Sequence, residues 1–91
     1  MSNASYRKFV NILLNSAEDI AAVECFADDG DTMMRLHDLT TRLRSELSPM
    51  LGVEKANRIV EIFSGAVMGA KHEREHLSSL GLLDPEDCVW L

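Results

Sequence analysis

Apolar residues recur at helical spacing through most of this chain. From about Ser5 to Phe26 they fall three or four positions apart, which is the pattern of an amphipathic helix with one buried face. That face comprises Tyr6, Phe9, Val10, Leu13, Ala17, Ile20, Ala21 and, as its only charged member, Glu24. Because Ile12, Leu14 and Val23 widen the stripe, we expect this helix to contact more than one neighbour. The helix ends at the turn residues 28–31, which also provide an N-cap for the next helix.

Two further segments carry the same periodicity. The second begins near Asp31 or Thr32, and Pro49 and Gly52 are expected to end or kink it. The third runs from Val53 to about Leu80 without a proline. The second stripe is Leu36, Leu39, Leu43, Leu47 and Met50, and the third is Val53, Ala56, Ile59, Val60, Phe63, Val67, Ala70 and Leu77. Since no stretch alternates apolar and polar residues as a strand does, the sequence predicts an all-α fold of three antiparallel helices, the third one long.

The C-terminal residues predict a short helical tail. Asp84 is a suitable N-cap, Pro85 suits the first helical position, and too few residues follow for a long helix. The apolar residues of this tail are Leu83, Val89, Trp90 and Leu91. We expect Trp90 to pack on its own subunit or on a twin. Because tryptophan is enriched at interface hot spots, binding of a partner through these residues is the alternative.

The length of the third helix favours self-association. A helix of ~28 residues is ~40 Å long, whereas a compact domain of this size has a radius of gyration of only ~12 Å. The helix therefore projects from a monomer, unless it breaks at Gly65 or Gly69. Together with Ala66 and Ala70, these glycines form a patch of small residues that would let two helices cross closely, within the monomer or at a dimer axis. Accommodation of a bulky ring is the alternative. We expect a dimeric helical bundle with one domain over residues 5–91, residues 1–4 being a disordered N-terminus or a cloning scar.

The charge and the cysteine content indicate the class of protein. The chain has 91 residues, 15 acidic and 9 basic side chains, and a net charge of −6. It has no apolar run approaching the ~20 residues that span a bilayer and no basic-then-apolar leader. Cys25 and Cys88 lack metal-type spacing. These features predict a cytoplasmic protein with reduced thiols, a single disulfide being the alternative, and no contact with membranes.

A basic middle segment, residues 35–58, leaves nucleic-acid binding as an alternative. Residues 43–61 can be read as a helix-turn-helix with its turn at positions 49–52. The side chains that would face DNA are Arg42, Arg44, Lys55 and Arg58. Glu54 and Glu61 lie on the supposed recognition helix, however, and an acidic chain lacks the footprint of a general nucleic-acid binder.

Residues 72–76 match the zinc-peptidase motif H-E-x-x-H. The two x positions are the charged Arg74 and Glu75, and no further motif supplies a third ligand. We therefore expect a solvated helical turn in which Lys71 and Glu75 pair, with His72 and His76 only as candidate metal ligands.

No nucleophile motif or phosphate-binding loop is present, so neither an enzyme nor a cofactor is expected. The sequence favours a small acidic protein–protein interaction module that acts by stoichiometric binding as a regulator, inhibitor or adaptor, of the kind that phages and plasmids encode. Its expected partners are a second copy of itself and an unidentified protein. The alternatives are a dimeric DNA-binding regulator and, behind it, a metal-binding protein.

Overall fold

A computed structural model of the chain describes residues 3–83. It contains three α-helices: α1 is Asn3–Glu24, α2 is Asp29–Leu51 and α3 is Val53–Ser79. No strand occurs over the described range, so the all-α prediction is confirmed. α1 already includes residues 3 and 4, which the sequence had left outside the domain. The predicted tail helix, with Val89, Trp90 and Leu91, lies outside the described residues.

The limits of α2 follow from its caps. Asp28 has an extended backbone, and its Oδ1 accepts hydrogen bonds from the N–H groups of Gly30 and Asp31 at 2.8 and 3.4 Å. This cap starts the helix at Asp29, two or three residues before the predicted start at Asp31 or Thr32. At the other end, Pro49 lies inside the last turn of α2 and does not end it. Proline has no N–H, so the helical hydrogen bond from position 49 to the carbonyl of Ser45 is missing. Ser45 is exposed, so water can bond to its carbonyl instead.

Two glycines with positive φ delimit α3. Gly52, at φ 87° and ψ 156°, is the single residue between α2 and α3. At the other end, Gly81 has φ 76°, and its N–H donates to the carbonyl of Ser78 while the N–H of Leu82 donates to that of Leu77, both at 3.0 Å. This pair of bonds is the Schellman motif, which terminates a helix and turns the chain. Between the two ends α3 is continuous, so neither Gly65 nor Gly69 breaks it.

α3 packs along both other helices and forms the centre of the core. One buried cluster joins all three helices, and a second joins the end of α2 to the start of α3. The first contains Ala17, Leu36, Phe63 and Val67, and the second contains Leu47, Ala56 and Ile59. The molecule measures 44 × 27 × 18 Å, so α3, at ~40 Å, runs along nearly the whole long dimension. Among the described residues, no helix has an apolar stretch long enough to cross a bilayer.

Candidate interaction site

An apolar groove opens between α1 and α2. The cavity in it has a volume of about 350 Å³ and is lined by residues of these two helices alone. Ile20 and the buried Leu36 form its floor, while Val23 and Leu39 stand at its rim with exposed fractions of 72% and 37%. Its charged lining residues are Asp19, Glu24 and Arg35. The groove is therefore an apolar surface open to solvent with a few charged groups at its edge, as in many binding sites.

A buried carboxylate joins α1 to α2 beside this groove. Glu24 is 8% exposed and accepts hydrogen bonds from Arg35 Nε and Nη2 and, at 3.0 Å, from Thr32 Oγ1. The hydrogen bonds from Arg35 lower the pKa of Glu24, and this effect exceeds the opposing effect of burial. The same pairing raises the pKa of Arg35. Both groups are therefore charged at neutral pH. In contrast, Asp19 has no ion pair with any described residue.

A second charged cluster holds the α1–α2 connection against α3. Lys71 is fully buried, with its Nζ 2.6 Å from Asp29 Oδ1 and 3.0 Å from Glu75 Oε2. His72 Nε2 lies 2.9 Å from Asp29 Oδ2. Burial acts to lower the pKa of Lys71, but the hydrogen bonds to the two carboxylates outweigh it and raise the pKa. Hydrogen bonds from Lys71 and His72 lower the pKa of Asp29.

The expectation of a solvated turn at residues 71–76 holds for the exposed His72, Glu73 and His76 and is wrong for two other residues of the turn. Lys71 and Glu75 do pair, but Lys71 and Arg74 are both buried, and Arg74 Nη2 lies 3.3 Å from Glu18 Oε2 of α1. The physical reason is that this turn of α3 packs against the other helices, so the long aliphatic stems are covered while the charged ends reach acceptors.

Glu75 also supports a strained turn. Its Oε2 accepts the backbone N–H of Phe26 at 2.9 Å. Phe26 has φ 70°, a left-handed conformation that is rare for an aromatic residue. The cluster therefore fixes the backbone between α1 and α2, and this is a structural role.

The H-E-x-x-H motif does not bring its two histidines to one metal site in the part of the chain described. The ligand atoms of Asp29, His72 and Glu75 lie within 4.8 Å of one another, and His76 is not in this group. The ammonium of Lys71 already contacts both carboxylates. A divalent cation would have to displace this buried positive charge, so the donor set does not favour a metal.

The candidate DNA-binding residues are exposed but do not form a helix-turn-helix. Arg42 and Arg44 lie on α2, and Lys55 and Arg58 lie on α3. The two helices are separated by Gly52 alone, whereas that motif uses a turn of about three or four residues. Lys55 and Arg58 share their surface depression with Glu54 and Glu61, which reduces its positive potential.

The small-residue patch is divided between the core and the surface. Ala70 is buried and Ala66 half-buried, whereas Gly65 and Gly69 are exposed. A Cβ added at either glycine would meet nothing within 4 Å. Neither a close crossing within the monomer nor a bulky ring therefore explains the glycines, as far as the described residues go.

Of the predicted tail anchors only Leu83 is described, and it is half-buried.

The apolar stripes that line the groove could be identified from the sequence, but the ion pair between Glu24 and Arg35 could not. The one available signal was Glu24, a charged residue on an otherwise apolar helical face. A buried carboxylate needs a partner, but sequence spacing alone does not reveal that this partner is Arg35, eleven positions further along the chain.

Comparison of the chain with protein-family models, with curated proteins and with solved structures gave no match, so the functional assignment rests on the geometry above.

Proposed function

We propose that this chain is a small helical protein–protein interaction module that acts by stoichiometric binding, as a regulator, inhibitor or adaptor. The groove between α1 and α2 is its binding surface. The observation that carries the proposal is the pair Val23 and Leu39, which are 72% and 37% exposed and which line a cavity of about 350 Å³ together with Ile20 and Leu36. An apolar groove between two helices is a common receptor for a partner segment.

The distribution of charge supports binding in preference to catalysis. The most concentrated group of potential ligands and proton donors in the described residues is Asp29, His72 and Glu75. The ammonium of Lys71 bonds both carboxylates of this group, and Glu75 also accepts the backbone N–H of Phe26. Because these side chains hold the helices together, we assign them no catalytic role.

Self-association is the second part of the proposal. We propose that three antiparallel helices form each subunit and that two subunits pair through the exposed glycine face of α3. Asp29 at the start of α2 contacts Lys71 late in α3, and Leu47 near the end of α2 packs in one cluster with Ala56 early in α3, which supports the antiparallel order. The exposed Gly65 and Gly69 support the pairing. We place the protein in the cytoplasm, on the strength of its acidic composition and its two cysteines.

The test is capture of the partner in the native host by crosslinking, with variants of the groove. Val23→Lys and Leu39→Lys each place a charge at the rim and should abolish capture, because they oppose burial of that surface. Met50→Lys is the matched control, since Met50 is 69% exposed and lies at the opposite end of α2. All three proteins should melt as the parent does. Capture that survives both groove variants contradicts the proposal.

The DNA-binding alternative has its own test in the same experiment. Replacing Arg42, Arg44 and Arg58 together should leave capture intact if the groove is the binding surface. If phosphates are the target, duplex DNA should bind in a salt-sensitive manner and lose affinity in the triple variant, because each lost contact also lowers the salt dependence. That outcome would replace the interaction module by the DNA-binding regulator.

A further inference from the structure

We infer that the partner segment is an amphipathic helix that inserts one large apolar side chain between α1 and α2 and places a lysine or arginine beside it, opposite Asp19. This inference rests on the proposed function and names the chemistry of the partner. It is carried by the shape of the groove and by the pairing of its charges.

The shape favours a helix with one dominant anchor. The cavity is lined by Ile20 and Val23 on one side and by Leu36 and Leu39 on the other. Each pair spans one helical turn, and the two helices lie side by side, so a partner helix can lay its apolar face along all four side chains. A volume of about 350 Å³ accepts one bulky aromatic or aliphatic side chain, and such an anchor in a desolvated pocket is the usual hot spot of an interface.

The charges specify what stands beside the anchor. Of the three charged residues that line the cavity, Glu24 and Arg35 satisfy each other. Asp19 alone among them has no ion pair within the described range, and it is exposed. A partner that covers the groove brings Asp19 to the edge of an apolar contact, where an opposite charge is favourable and a like charge is not.

The same argument disfavours the chain's own C-terminal residues as the occupant. Residues 84–91 contain Asp84, Glu86 and Asp87 and no basic residue. In the groove they would offer Asp19 acidic groups and no cation. A separate, basic segment suits a chain of net charge −6 better.

The experiment is selection from a phage-displayed library of amphipathic helices against the full chain, with the apolar face and its flanking positions randomised. We expect the enriched helices to carry a large apolar residue with a lysine or arginine within one turn of it. The best sequence is then synthesised in two forms, with that cation retained or replaced by glutamine, and titrated by fluorescence anisotropy.

The titrations assign each contact. Val23→Lys and Leu39→Lys should each weaken the cationic peptide by at least about tenfold, as truncation of a hot spot does, and Met50→Lys should not. Asp19→Asn should weaken the cationic peptide by about two- to fivefold, the range of an exposed ion pair, and leave the glutamine peptide unchanged. This double-mutant cycle isolates the contact between Asp19 and the cation.

The inference is overturned by a selection that enriches no helix, by enriched helices without a basic residue, or by binding that does not depend on Val23 and Leu39. If removal of residues 84–91 tightens peptide binding by about tenfold or more, the groove belongs to the chain's own tail and the inference is likewise wrong. A failed selection combined with groove-dependent capture in the host leaves the interaction module standing and rejects only this partner class. Capture that is independent of the groove rejects both.

Discussion

At the scale of single residues, Lys71 is the clearest determinant of stability. It is fully buried and contacts Asp29 from α2 and Glu75 from its own helix. Lys71→Met keeps most of the stem but removes the charge and leaves two carboxylates without their cation. We expect the free energy of unfolding in denaturant to fall by about 2 kcal/mol, less than the ~3–5 kcal/mol lost when one partner of a fully buried pair is removed, because Asp29 and Glu75 are partly exposed to water. Lys8→Met, at an exposed lysine, is the control and should change it by no more than ~0.5 kcal/mol. Equal stability of the two variants would contradict this role.

Zinc provides a second test of the same lysine. Because the ammonium lies among Asp29, His72 and Glu75, equimolar zinc should raise the melting temperature of the parent by no more than a degree or two. In Lys71→Met the three ligands lose their competitor, and zinc should then stabilise the protein through His72. Sub-micromolar zinc binding by the parent, abolished by His76→Ala, would show instead that the H-E-x-x-H motif is a metal site.

Two carboxylates with lowered pKa values, Glu24 and Asp29, make stability depend on acid pH. The pKa of Glu24 is lowered chiefly by Arg35, so its contribution is present above the unfolded value of ~4.3 and is lost as the pH falls through the folded value. Lys71 has the opposite sign: its pKa is raised, so its contribution is present below ~10.4 and is lost only at more alkaline pH. Glu24→Gln should therefore reduce stability at neutral pH and flatten the loss of stability below about pH 5. Glu46→Gln, at an exposed position, should leave the profile unchanged. If Glu24→Gln loses stability below about pH 5 as steeply as the parent does, the pair Glu24–Arg35 does not govern the loss of stability in acid.

Individual residues also mark where sequence reasoning reached its limit. Glu24 stood out because it interrupts an apolar face, and it is indeed buried. Lys71 gave no such signal, since a lysine in a charge-rich segment is usually solvated. Its ammonium contacts Asp29, 42 positions away in sequence, and Glu75, which in turn accepts the backbone N–H of Phe26. Such long-range contacts are set by tertiary packing and leave no local pattern.

At the scale of elements, helical periodicity predicted the existence and order of α1, α2 and α3, because the spacing of apolar residues follows directly from which face of each helix is buried. The helix ends were less predictable. The start of α2 depends on the Asp28 cap, and its end depends on whether a proline near the last turn can be tolerated. Proline removes one hydrogen bond there, and an exposed carbonyl can bond to water instead, so Gly52 and not Pro49 separates the helices.

The α2–α3 junction yields a prediction of its own. Gly52 has φ 87° and ψ 156°, a conformation that is essentially restricted to glycine. Gly52→Ala should lower the free energy of unfolding by about 1–3 kcal/mol, because the strain is imposed on the folded backbone. Space is not the cause, since a Cβ at this position would meet nothing within 4 Å. Ser45→Ala, at an exposed position in the interior of α2, is the control and should change stability little. A neutral Gly52→Ala variant would mean that the junction relaxes to another conformation.

At the scale of the whole molecule, the described core leaves many large apolar side chains uncovered. They are Ile12, Val23, Phe26, Met33, Met34, Leu39, Met50, Val53, Ile62, Leu80 and Leu82. Of these, Val23 and Leu39 line one groove, and this is the exposed apolar surface on which the proposed interaction module depends. The sequence predicted excess apolar surface from the width of its stripes, but the position of the groove depends on how α1 and α2 lie on α3.

The dimer is the last prediction, and it belongs to this scale. Light scattering at tens of micromolar should give twice the mass of one chain, which is 10.2 kDa. Gly65→Leu and Gly69→Leu should shift the protein to monomer, because a large side chain prevents close approach of a second helix at the exposed face. In the single chain both positions have open space, and leucine has a higher helix propensity than glycine. Each monomeric variant should therefore be more stable than the dissociated parent chain, by up to ~1 kcal/mol. Loss of dimer together with gain of monomer stability separates an interface effect from misfolding. Thr41→Leu, at an exposed position on α2, should leave the mass unchanged. A parent mass near that of one chain, or glycine variants that remain dimeric, would remove this face from the proposal.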